Sequence, residues 1–119
     1  MNGINKLILI GNLTDTPSVA QVGNGNKLSF RMAVNDSEHW VKDGVAQKRD
    51  TTEFFNCITF IPGIAKFGAH LRKGEKVLVE GKVTQRSYEK DGVTHYVTEV
   101  KVENLQSMSV KPKTEGAAA

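Results

Sequence analysis

The stretch Pro62–Gly81, PGIAKFGAHLRKGEKVLVEG, changes its hydrophobic period in the middle. Ile64, Phe67, His70 and Leu71 recur at helical spacings, whereas Val77, Val79, Gly81 and then Val83 alternate as strand residues do. Pro62 stands near the start, Arg72 and Lys73 put cations where a last turn would be, and Gly74 follows. These are the start and stop signals of one short helix over 63–73. The strand that begins at Glu75 is predicted to run on to about Lys90.

The flanking sequence builds a sheet around this unit. Lys90-Asp91-Gly92 marks a hairpin turn, and Val93 to Leu105 returns with Tyr96, Thr98, Val100 and Val102 aligned on one face. On the other side, Glu53 to Ile61 is apolar on both parities, as in a strand covered on both faces. Leu28, Phe30, Met32 and Val34 alternate with Ser29, Arg31, Ala33 and Asn35, which predicts a strand with one face on a core. Gly23-Asn24-Gly25-Asn26 tolerates positive φ and reads as a turn. A first strand from Ile4 to about Gln21 then folds back on 27–36, with Gly11 and Pro17 marking a bulge or bend. Residues 37–51 are polar around Asp43-Gly44 and read as a long loop or flexible hairpin tip. Five strands with one short helix between the third and fourth predict an all-β chain, a five-stranded OB-fold barrel over 1–107. Residues 108–119, ending in three alanines, read as a short flexible C-terminal tail.

Composition narrows the function. The chain has 119 residues, enough for one core, and 39% of them are hydrophobic. Its longest apolar run, Leu7-Ile8-Leu9-Ile10, falls far short of the roughly 20 residues a membrane span needs, and no secretory signal precedes it. No membrane association and a cytoplasmic location are therefore expected. A single cysteine, Cys57, excludes an internal disulfide or a thiolate zinc cluster and reads as a small buried hydrophobe. His39, His70 and His95 lack ligand spacing, and no nucleophile elbow or Walker phosphate loop is present. Neither a metal, a cofactor nor an enzymatic activity is expected.

Net charge is only +3, but it is unevenly spread: residues 61–90 carry seven basic side chains against three acidic ones. Such a concentration points to an anionic partner. Trp40 and Tyr88 fall outside any core pattern and are flanked by charge, while Phe54 and Phe60 bracket a strand apolar on both faces. Aromatic rings interleaved with cations suit single-stranded nucleic acid, whose unstacked bases expose flat faces and whose phosphates need neutralising. The stacking candidates are Trp40, Phe54, Phe60 and Tyr88. The phosphate candidates are Lys6, Arg31, Lys42, Lys48, Arg49, Arg72, Lys73, Lys82, Arg86 and Lys90. Arg31 is the best placed, because its strand face opposes that of Phe30 and Met32. Neither kind of contact reads a base edge, so sequence-tolerant binding is expected.

The order of Asn5-Lys6-Leu7-Ile8-Leu9-Ile10-Gly11-Asn12-Leu13, Pro17, Thr52-Glu53-Phe54, Phe60, Leu71-Arg72-Lys73-Gly74 and Val77 through Gly81 resembles the bacterial single-stranded DNA-binding protein family over about residues 3–107. The resemblance implies an OB-fold subunit, assembled as a homotetramer, that coats single-stranded DNA in replication, recombination and repair. It also implies base stacking at the positions of Trp40, Phe54, Phe60 and Tyr88, with Phe54 and Tyr88 standing where tryptophan is common. Ile61-Pro62-Gly63 departs from the usual Gly and basic residue, removing one expected phosphate contact. Phe55 replaces a histidine often found near the subunit contacts, which leaves a dimer open. The long linker and acidic tip that recruit partner enzymes in typical members have no counterpart, so tail-dependent recruitment is not expected. The alternative is an OB-fold primosome-type accessory protein acting mainly through protein–protein contacts.

Overall fold

The computed structural model describes residues 3–109. Six strands and one helix follow in the order β1 (Leu7–Leu13), β2 (Ser18–Val22), β3 (Gly25–Lys42), β4 (Val45–Thr59), α1 (Pro62–Gly68), β5 (Lys76–Lys90) and β6 (Val93–Ser107). The sheet runs β1-β5-β6-β4-β3, and β1 pairs with β3 at Asn12↔Ala33 and Leu13↔Met32 to close it into a barrel. All ladders are antiparallel except β4–β6, which is parallel at Cys57↔Val100 and Ile58↔Lys101. The five-stranded barrel with a helix between its third and fourth strands is therefore present. The expected long first strand divides into β1 and β2, because Pro17 stands in the break and cannot donate to a ladder. Gly11 breaks nothing: it lets β1 cross close over β3, where a Cβ would collide with the Ala33 carbonyl oxygen.

The core is the predicted alternating face. Leu28 and Met32 of β3, Val77 and Val79 of β5 and Val102 of β6 are fully buried around Leu13, Cys57 and Leu105. Each such side chain stabilises the fold by about 1.5–3 kcal/mol. Burial pushes the Cys57 thiol up to about 12, so it stays protonated and inert at neutral pH.

Helix α1 caps this core and is shorter than the spacing predicts. Pro62 starts it, with its missing N–H at a position that has no intrahelical acceptor. Gly68 ends it in direct contact with Leu28, where a Cβ would not fit. Leu71 is buried from the turn that follows, so its spacing reflects core anchoring and not a longer helix. Gly74, at φ +89°, shapes the entry to β5 and donates its N–H to the Leu13 carbonyl at 2.8 Å.

The polar stretch 37–51 forms paired strands. β3 and β4 stay in register from Leu28↔Thr59 to Lys42↔Val45 and project as a two-stranded arm. β5 and β6 make a second arm that ends at Lys90↔Val93. Each tip is a two-residue turn with both residues at positive φ, Asp43-Gly44 and Asp91-Gly92, the geometry that matches the twist of a hairpin. Because the second arm outruns the barrel, Tyr96 has no core to face and is 80% exposed. Met108 and Ser109, at the start of the expected tail, hydrogen-bond to Lys76. The remainder of that tail, 110–119, lies outside the described residues.

Candidate functional site

Alternation along the strands decides what reaches the outer surface of the barrel. In β3 and β4 the outward set includes Arg31 opposite Asn56 and Ala33 opposite Phe54. Phe54 is 52% exposed, and the Arg31 guanidinium lies over its ring, 4.4 Å from the centroid. This cation–π contact places the guanidinium over the face of an aromatic ring.

The same outer face continues through the parallel step to β6 and on to β5. Ile58 aligns with Lys101, and Lys101 lies opposite Lys82. Lys6 precedes β1 in step with Lys82, since Asn5 exchanges two hydrogen bonds with the Val83 backbone, at 2.7 and 3.0 Å. Two lysines directly opposite each other repel, an arrangement that an anion relieves. Lys101 was not among the residues singled out by sequence; only the β5–β6 register reveals it.

Farther along β5, Arg86 donates to Glu99 at 2.9 and 3.4 Å. Glu99 is buried, and its hydrogen bond and charge raise the pKa of the Arg86 guanidinium, a group that is cationic at any working pH. Tyr88 follows two residues later on the same face, half-exposed, with the His95 ring stacked on it. Phe54, Phe55, Leu7, Val83 and Val100 line a cleft of about 270 Å³ at the barrel mouth, with Asn56, Thr98 and Glu99 as its polar groups.

The remaining predicted residues separate into three groups. Trp40, Lys42, Lys48 and Arg49 all sit on the β3–β4 arm. Trp40 is half-exposed beside Glu38, His39 and Arg49. Arg49 is paired with Glu38, and Lys48 lies 3.7 Å from Asp50. Phe60 is exposed just after β4, and Lys90 closes the β5–β6 arm. Arg72 and Lys73 occupy the turn before β5, at the end of that strand away from Tyr88, and do not join the outer face described above. Among the described residues, no group of three or more His, Cys, Asp or Glu side chains could hold a metal ion. No helix among them is long and apolar enough to cross a membrane.

Comparison with known proteins places this geometry. Residues 4–108 match the Single-strand binding protein family. A single-stranded DNA-binding protein of Bacteroides thetaiotaomicron is 32% identical over 118 residues, covering 98% of this chain and 73% of that protein. Among solved structures, a Plasmodium falciparum SSB in complex with ssDNA superposes with a TM-score of 0.80 at 21% identity, over 92% of this chain and 98% of the other. A small single-stranded DNA-binding protein from Streptomyces coelicolor superposes with a TM-score of 0.63 at 21% identity, over 90% and 95% of the two chains. At that identity the two structures establish the shared fold.

Proposed function

This chain belongs to the Single-strand binding protein family, and from that premise we propose that it is a non-catalytic protein that binds and protects single-stranded DNA during replication, recombination and repair. The observation that carries the reading is the continuous outer face from the Arg31–Phe54 pair to Tyr88, where exposed rings stand among cations. Bases stack on Phe54, Phe60 and Tyr88, and Trp40 adds a ring on the β3–β4 arm. Lys6, Arg31, Lys82, Arg86 and Lys90 track the phosphates, with Lys42, Lys48 and Arg49 extending the path along the arm. Arg72 and Lys73 contact strand only where it wraps beyond this face. A ring that replaces a neighbouring base recovers about 1–3 kcal/mol per base. Duplex DNA buries its base faces and gains only the phosphate contacts. The protein works in the cytoplasm.

The active form is a homo-oligomer, a tetramer in preference to a dimer. Support comes from β1, where Ile8 and Ile10 are 56% and 44% exposed beside Leu78 on the outer side of the β1–β5 ladder. Among the described residues β1 pairs with β3 only at its last two residues, which leaves the rest of that strand edge unpaired next to this apolar patch. Exposed apolar patches beside an open edge invite pairing with a second copy. Solution mass measured with and without oligo(dT) tests both statements. The expected result is four chains, with a defined number of oligo(dT) molecules bound and no stable complex with duplex. A monomer that retains no oligo(dT) at low salt would overturn them. A dimer with only weak binding of short oligonucleotides would favour a role through protein–protein contacts.

A further inference from the structure

His95 lies directly opposite Tyr88 in the β5–β6 register. The two rings are stacked, with centroids 5.1 Å apart and planes 18° from parallel. The pair stands on an arm that outruns the barrel, exposed to solvent, with no further strand described beyond it. The Asp91-Gly92 turn, with both residues at positive φ, fixes the two-residue loop and therefore keeps these two side chains opposite each other.

We propose that Tyr88 and His95 form one composite stacking platform and that His95 is itself a base-stacking residue for single-stranded DNA. This inference rests on the functional reading above and adds a residue to it. With one ring face of Tyr88 covered by His95, a base can approach Tyr88 only from its other side. The outer face of the imidazole then offers a second flat surface, turned the opposite way, so that the stacked pair can stand between two bases. Stacking holds both rings in place before DNA arrives, so less side-chain freedom is lost on binding. Arg86 and Lys90 lie on the same strand face, one step to either side of Tyr88, where phosphates flanking a stacked base would fall. A second exposed ring, Phe54, is likewise accompanied by a planar group, the Arg31 guanidinium, 4.4 Å from its centroid.

The competing role for His95 is support of the hairpin alone, by cross-strand packing. Salt titrations of oligo(dT) binding by the full chain, its His95→Ala variant and its His95→Phe variant separate the two. The platform predicts that His95→Ala weakens binding by about fivefold or more. It also predicts that His95→Phe restores binding, and that the slope of log affinity against log salt is the same for all three, since no phosphate contact is removed. Wild-type affinity in His95→Ala overturns the inference while leaving the functional reading intact. So does a salt slope reduced by about one, the mark of a lost phosphate contact. Failure of His95→Phe to restore binding also overturns it. Absence of oligo(dT) binding by the unmodified chain overturns both.

Discussion

Arg31 and Phe54 show how strand pairing brings one exposed ring and one cation together on the outer face. The guanidinium at 4.4 Å lies over one face of Phe54 and leaves the ring half-exposed. Phe54→Ala removes the ring while leaving every buried core side chain untouched. It is expected to weaken oligo(dT) binding about fivefold or more, from a stacking contribution of roughly 1–3 kcal/mol, with an unchanged unfolding midpoint in urea. Unaltered affinity would exclude Phe54 from the interface. The position of Arg31 was legible in the sequence, because clean alternation with Phe30 and Met32 fixes its face. That of His95 was not. Its stack on Tyr88 depends on the pairing of two strands, and no periodicity within one strand encodes a partner in the next. The same blindness applies to Lys101 opposite Lys82. It applies equally to Arg86, whose pairing with buried Glu99 appears only when β5 and β6 meet.

At the scale of elements, the barrel strands and the β5–β6 hairpin were legible and the β3–β4 arm was not. Buried strands advertise themselves by apolar alternation, as Leu28 to Val34 does. The β3–β4 arm, wetted on both sides, has no apolar face to repeat, so residues 37–51 read as a long loop or flexible hairpin tip. Cross-strand polar contacts hold it instead: Thr52 donates to Asn35 and Ser37 to Asp50, both at 2.8 Å, and Arg49 pairs with Glu38. The helix stands between the third and fourth barrel strands, as the spacing predicts, but stops at Gly68, because Leu71 keeps helical spacing while anchoring the turn that follows. Gly11 reveals what closes the barrel. Its backbone passes so near β3 that any side chain would meet the Ala33 carbonyl. Gly11→Ala is expected to destabilise the fold by about 1–3 kcal/mol, the range for overpacking a filled site. Gly25→Ala, with nothing within 4 Å of its Cβ, serves as the near-neutral control. Equal urea midpoints for the two variants would contradict the close approach of β1 and β3.

For the whole molecule, the modest charge of +3 takes on direction once the chain is folded. Arg49 pairs with Glu38 and Arg86 with Glu99 within the fold, which leaves that net charge unchanged. The lysines that meet on the outer face, Lys6, Lys82 and Lys101, come from three different strands or their approaches. β5 alone has 15 residues, which at 3.3 Å each span about 50 Å, so rings and cations are distributed along a path and not gathered in a pocket. That distribution suits a flexible polyanion with exposed bases. Trp40 is the sole tryptophan of the chain and sits on the β3–β4 arm, away from the barrel core. Its fluorescence therefore reports directly on whether single-stranded DNA occupies this surface. Titration with oligo(dT) is expected to quench it strongly and saturably, with an affinity that falls as salt rises, while duplex of the same length leaves it nearly unchanged. Emission that stays constant through an oligo(dT) titration at low salt, or that responds equally to duplex, would contradict single-strand binding by this face.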